Sequence, residues 1–231
     1  MRDHQNFVIA IDGPAASGKG TLSRELAKAL NFAHMDTGAL YRAVAYEVAE
    51  SGGDPENEAQ ALRGCTALEE KLKGGMGALE NPGLRNDEIA KGASKVAALQ
   101  AVRDRLVDIQ RTFAHAPGDR YAGAVLDGRD IGTVICPDAP LKLFVTASAE
   151  VRAKRRLKEL QSKGIEATYR AVLVDMRARD ERDSSRKAAP LRPAADAIVL
   201  DTSDLSAQKA LGKALEIVRE TREKWLAAKR M

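Results

Sequence analysis

The chain has 231 residues, 44% apolar and 30% charged, with a formal net charge of +4 and a pI near 9.1. That length can bury one full core with small appended modules. The mild basicity suits small anionic substrates better than nucleic acid, for which there is no recognition motif and only 4% aromatic residues. No apolar run approaches a membrane span, Met1 to Asn6 is too short and polar for a leader, and Cys65 and Cys136 lack metal-ligand spacing, so a cytoplasmic protein with two reduced thiols is expected.

The first apolar run, Phe7 to Asp12, has the compactness of a buried strand. It leads into Gly13-Pro14-Ala15-Ala16-Ser17-Gly18-Lys19-Gly20-Thr21, and the helix-patterned stretch Leu22 to Leu30 follows. Strand, glycine-rich turn with one lysine, and helix arrive in the order of a phosphate-cradling P-loop, so all nine turn residues are expected to bind a nucleoside triphosphate. Gly13 and Gly18 let successive N–H groups turn inward, the helix start adds its positive end, and Lys19 supplies a mobile charge for the outer phosphates. The residue after the lysine, usually a Ser or Thr for magnesium, is Gly20, with Thr21 next. Among P-loop proteins, G-K-G-T is the form of small nucleotide kinases.

Further strands are expected at Ala33 to Asp36, Ala122 to Asp127, Leu141 to Thr146 and Ala197 to Asp201, with helical patterns between them. That alternation predicts an α/β fold of three layers, a five-stranded parallel sheet covered on both faces. Residues 57 to 112 read as helices interrupted at Gly74-Gly75-Met76-Gly77 and Asn81-Pro82-Gly83, an insertion beside the sheet. Residues 151 to 186 carry eight arginines in two helical patterns broken near Lys163-Gly164. Arg177 with Glu181 and Arg179 with Asp183 fit ordinary i,i+4 pairs on a solvated face. The excess of guanidinium over ammonium favours a lid whose arginines close over phosphates. A closing helix from about Ser206 to Lys229 places Leu211, Leu215, Val218, Arg222 and Trp225 on one face, with Trp225 as a packing anchor. His4, His34 and His115 are scattered and are assigned no chemistry.

Three more motifs follow the P-loop: Asp36-Thr37-Gly38-Ala39-Leu40-Tyr41-Arg42, Asp127-Gly128-Arg129-Asp130-Ile131-Gly132-Thr133, and Arg179-Asp180-Glu181-Arg182-Asp183-Ser184-Ser185-Arg186. In that order they resemble the bacterial cytidylate kinases over nearly the whole chain. The resemblance implies one P-loop kinase domain, with a core from 1–36, 113–150 and 187–231, a helical monophosphate-binding region at 37–112 and an Arg-rich helical lid at 151–186. It implies that ATP and CMP or dCMP are the partners, with Mg²⁺ as cofactor. Thr37, Tyr41 and Arg42 would line the monophosphate pocket, with Arg85 beside them. Ser94 and Arg103 would read the cytosine edge with Asp130. Arg129 and Arg186 would clamp phosphates, and Arg179 and Asp183 would hold sugar hydroxyls; Lys19, Arg129, Arg179 and Arg186 are the expected catalytic set. From Arg63 to Gly83 this chain is shorter than many of the family, which carry a strand-containing insert there.

The residue types suit that chemistry on their own terms. A phosphate monoester is already largely dianionic at neutral pH, so an acceptor phosphate needs no general base. Two anions must instead be held in line while charge shifts between them, which is work for arginines, Lys19 and Mg²⁺. No direct metal ligand is assigned; Asp127, at a strand end, either holds Mg²⁺ through water or caps the following turn. Asp130 suits a cytosine exocyclic amine by the donor and acceptor logic of base edges, or pairs with a nearby cation. A kinase for UMP or another small acceptor would share the P-loop and lid, whereas a nucleotide switch would want an N-K-x-D, which the chain lacks. A monomer suffices for the reaction.

Overall fold

A computed structural model describes residues 6–230. The readings of residues 1 to 5, His4 included, fall outside the described residues. The chain forms two compact units, one from Met1–Met35 with Thr112–Met231 and one from Asp36–Arg111.

The first unit is built on strands β1 (Phe7–Asp12), β2 (Ala33–Asp36), β3 (Gly123–Gly128), β4 (Leu141–Thr146) and β5 (Ile198–Asp201), ordered β2-β3-β1-β4-β5. β1 pairs in parallel with β3 on one side and β4 on the other, and β4 pairs in parallel with β5. Every residue of β1 and β3 is buried, which is what a parallel strand covered on both faces requires. Ala122 was expected to open β3. Its N–H goes instead to the Asn31 carbonyl at 3.0 Å, so the ladder starts one residue later. The connection from β1 runs to β2 on one side and that from β3 crosses to β4 on the other, a switch point at which a crevice opens at the carboxyl end of β1. The P-loop stands there.

Helix α1 (Lys19–Leu30) and helix α8 (Ala207–Ala228) cover one face of the sheet. Leu22, Leu26 and Val218 pack with Phe7, Ile9 and Ile11 of β1, and Leu211, Leu215 and Trp225 close the edge of that core. Trp225 meets the Phe7 ring edge-on, with centroids 5.3 Å apart, so the expected packing anchor is realised. Asn31 ends α1 in the left-handed conformation, φ 54°, its N–H returned to the carbonyls of Ala27 and Lys28.

The arginine-rich stretch folds as α6 (Ala149–Ser162) and α7 (Tyr169–Ser185), broken as expected around Gly164. Ser148 and Thr168 cap them by accepting from Val151 N–H and Ala171 N–H, both at 3.3 Å. Ala153, Leu160, Val172 and Met176 form a small core of their own, and Ala15 and Ala16 of the P-loop pack against it. That apolar contact seats the two helices on the phosphate turn.

In the second unit α2 (Thr37–Glu50) packs against α3 (Glu58–Leu72) and α4 (Asp87–Val96), and α5 (Gln100–His115) leads out of the unit. Asn57 and Asn86 cap α3 and α4 with their side-chain oxygens. The two interruptions expected here become short 3₁₀ turns at Met76–Glu80 and Pro82–Arg85. Cys65 lies in the unit's interior and burial pushes its thiol up to about 11, so it stays protonated and inert; Cys136, in the first unit, is also buried, and neither cysteine forms a disulfide.

Candidate active site

The turn after β1 is shaped by backbone. A Cβ on Gly13 would stand 2.0 Å from the Val145 carbonyl oxygen of β4, so only glycine lets the chain leave the sheet there. Ala16 (φ 57°) and Gly18 (φ 92°) both take left-handed conformations, which turns consecutive N–H groups to one side as an anion-binding nest. For Ala16 that conformation costs about 1–2 kcal/mol. Ser17 is fully buried and its hydroxyl has no hydrogen-bond partner, a polar atom that an incoming phosphate would satisfy. Lys19 opens α1 at the rim of this nest.

Beside the turn, β3 ends in Asp127-Gly128-Arg129-Asp130, and the chain then makes a single π-helical turn, Ile131–Ile135. Asp12, the last residue of β1, takes up the start of that turn: its two carboxylate oxygens accept from the N–H groups of Ile131 and Gly132, each at 2.8 Å. Burial pushes Asp12 up to about 6 despite those two bonds and the charge of Lys19. Asp127 is buried and meets His34 Nε2 at 2.8 Å, so a histidine read as chemically idle sits against the carboxylate at the strand end. The other oxygen of Asp127 lies 4.0 Å from where a Cβ on Gly20 would be. Among the described residues no group of three or more His, Cys, Asp or Glu could hold a metal ion. Asp127 is the acidic side chain against the turn, a hard oxygen donor of the kind magnesium takes.

Arg129 donates through Nε to Asp183 of α7 at 3.0 Å and through NH1 to the Gly128 carbonyl at 3.2 Å. Burial alone would lift the Asp183 carboxyl, but Arg129 and Arg179 hold it below its ordinary value, with Arg186 adding to the effect. Arg179 is pulled down to about 10 by burial and then by the neighbouring charge of Arg129, and its buried Nε has no hydrogen-bond partner. Arg186 donates through Nε to the Ala189 carbonyl at 2.6 Å, and Leu191 N–H reaches the Asp183 carbonyl at 2.7 Å, which folds the chain after α7 back onto the same cluster. Arg129, Arg179, Asp183 and Arg186 thus come together around one carboxylate, with cationic charge in excess. Of the i,i+4 pairs expected on α7, Arg179 and Asp183 do interact, and Asp183 also takes a hydrogen bond from Arg129, while Arg177 reaches Glu150 at 3.3 Å.

The eight arginines of this region are not one class. Arg152 grips Asp180 with two bonds, at 3.0 and 2.7 Å, and donates to the carbonyls of Ala147 and Ala15. Arg155 donates to the carbonyls of Ser17 and Thr202 and to the Thr202 hydroxyl. Arg152 and Arg155 thus bond carbonyls of the P-loop, at Ala15 and Ser17, and brace it. Arg155 and Thr202 also line a cavity of about 590 Å³ with Ser17, Gly18, Thr21 and Leu22 on one side and Leu205 and Leu211 on another.

In the second unit, Thr37 and Tyr41 are buried at the start of α2, and Arg42 folds back to Asp36 at 2.6 Å. Arg103 is 3% exposed, donates to the Ala97 carbonyl at 3.1 Å and stands 5.5 Å over the Tyr41 ring. Ser94 is half-buried on α4, and Arg85 is exposed at the end of a 3₁₀ turn. Of the residues expected to bind the monophosphate, Tyr41 and Arg103 are in contact and Arg42 lies one residue away.

A family model described as cytidylate kinase matches residues 9–220. The chain belongs to the cytidylate kinase family. Among its relatives, the cytidylate kinase of Paramagnetospirillum magneticum is 56% identical over 93% of this chain and 99% of its own, and that of Rhodospirillum rubrum is 52% identical over 94% and 100%. A solved structure of an uncharacterized protein from Eubacterium ventriosum superposes with a TM-score of 0.51 at 16% identity, covering 92% of this chain and 98% of that one, and shows the fold alone. Sequence reasoning gave this cytidylate kinase family member no site role for Asp12, His34 or Thr202, which lie at the P-loop or beside Asp127, and read Arg155 only as one of the lid arginines. Only Asp12 left a signal, an acid closing an otherwise apolar strand directly before the P-loop.

Proposed function

We propose that this chain transfers the γ-phosphoryl group of ATP to CMP or dCMP, giving ADP and CDP or dCDP. The match to the cytidylate kinase family across residues 9–220 carries the reading. Support comes from the first unit, which holds both a P-loop nest with Lys19 and an arginine cluster with surplus positive charge.

The acceptor phosphate attacks as a dianion, so the side chains neutralise and align and no general base is required. The nest of residues 13 to 21 and Lys19 hold the donor phosphates, Ser17 Oγ among the groups awaiting them. Mg²⁺ bound with ATP would spread the phosphate charge, and Asp127 is the residue that would hold it through water. The donor base takes the cavity lined by Arg155, Thr202 and Leu205. Arg129 and Arg186 meet the phosphoryl group in flight, where preorganised charge lowers the barrier without reorganisation. Arg179 and Asp183 hold sugar hydroxyls, and the buried Nε of Arg179 gains a partner when the site fills. Thr37, Tyr41, Arg42, Arg85, Ser94, Arg103 and Asp130 are the residues assigned to the monophosphate, with Asp130 accepting from the cytosine amine. The helices α6 and α7 serve as the lid that keeps water from the activated phosphate. A monomer suffices.

Following ATP and CMP together by ³¹P NMR tests the reading. CDP and ADP should appear one for one; ATP consumed to ADP and inorganic phosphate with no CDP would refute it.

A further inference from the structure

We infer that Asp12 is a positioning residue that locks the loop carrying Arg129 and Asp130 to the donor-phosphate turn, an inference that rests on the function proposed above. The carboxylate ends β1, and its neighbour is Gly13, whose backbone is pressed against Val145 of β4. Both carboxylate oxygens are engaged by consecutive N–H groups, those of Ile131 and Gly132. This pins the peptide that follows Asp130. The carbonyl of that same peptide, Asp130 C=O, accepts from Val134 and Ile135 N–H at 2.9 and 3.2 Å, so the peptide is held at both of its polar groups.

A plain structural cap would not need a charge there. Burying a carboxylate costs several kcal/mol, and a serine or asparagine caps a turn without it. Only a carboxylate presents two acceptors to two adjacent N–H groups; an asparagine would turn its own NH₂ toward one of them. The register of donor and acceptor loops thus hangs on one ionised group. The charged groups facing it are Lys19 from α1 and Asp130 from the loop after β3, while Gly128 and Phe144 stand opposite it on β3 and β4. A proton on either oxygen converts an acceptor into a donor and releases one of the two peptides. With the group raised to about 6, that release falls within the range of ordinary assays.

The acceptor phosphate itself titrates near pH 6, so the decisive measurement is made without nucleotide. In the ¹⁵N-labelled full chain titrated from about pH 8 to about pH 5, the amides of Ile131 and Gly132 should shift together with a common midpoint near that of Asp12. In Asp12→Asn neither should titrate. Static amides in the wild type, or a titration that persists in D12N, overturn the inference, and the wild-type arm decides even if the variant fails to fold. In kinetics, folded D12N should lose about 10- to 100-fold in kcat, and its preference for CMP over UMP should fall toward that of Asp130→Ala. Wild-type kcat and preference in D12N would equally overturn it. A wild-type chain that makes no CDP refutes the proposed function and leaves the amide titration to judge Asp12. An unchanged preference in D130A refutes only the assignment of Asp130 and leaves kcat to judge.

Discussion

Arg129 and Asp183 stand 54 positions apart in the chain and bond at 3.0 Å, with Arg179 and Arg186 drawn to the same carboxylate. One acid holding several guanidinium groups lets them gather without a phosphate present, yet leaves positive charge over when one arrives. Arg179 registers that surplus: burial and the Arg129 charge pull it down to about 10, still fully protonated at neutral pH.

Arg186→Ala removes a charge whose partner grows more negative in the transition state. It should lower kcat by about 10²–10³-fold while ATP affinity stays nearly unchanged. Rapid-quench turnover beside a nucleotide-binding titration measures both. Unaltered turnover would take Arg186 out of the phosphoryl site.

Asp130→Ala should raise KM for CMP by about 10- to 100-fold, the loss of a charged hydrogen bond in a buried site, and leave kcat at saturation within a few-fold. KM for UMP should barely change, since uracil lacks the amine. A matching loss for both pyrimidines would end the base-reading role.

The sheet was legible because buried parallel strands read as short apolar runs between turn signals, and all five appear within a residue of expectation. The helical breaks at Gly164 and at residues 74 to 77 were legible for the same local reason. Partners were not. Arg152 and Arg155 looked like any other arginine of their run, and only the fold shows that they bond carbonyls of Ala15 and Ser17 while Arg129 and Arg179 share a carboxylate. His34 and Asp127 are brought together across two strands that are not adjacent in the chain, which no local pattern records.

Thr202→Val keeps the volume but removes the hydroxyl that reaches the Ser17 and Thr146 carbonyls and accepts from Arg155. It should destabilise the protein by about 1–3 kcal/mol, since buried partners lose a bond. KM for ATP should rise more than KM for CMP. Calorimetry with two-substrate kinetics checks this, and a selective effect on CMP would contradict the donor-side position of the cavity.

Asp12 gives a pH signature in stability. Its carboxyl lies at about 6 in the folded chain against an ordinary value of 3.8, so the native state binds the proton more tightly than the unfolded state. Above pH 6 the ionised group is a liability, and the penalty is relieved as pH falls from about 6 to about 3.8. At 1.36 kcal/mol per unit the relief is of the order of 3 kcal/mol. Urea unfolding of wild type and D12N across that window should show their difference moving in favour of the wild type as acid is added. A constant difference would mean that Asp12 does not carry the shift.

The most direct measurement is the initial rate of phosphoryl transfer from ATP across CMP, dCMP, UMP, AMP and GMP with the purified chain. A kcat/KM for CMP or dCMP well above that of every other acceptor, collapsing in Arg186→Ala, is the predicted result. Equal rates for all five, or ATP hydrolysis with no acceptor phosphorylated, would contradict it.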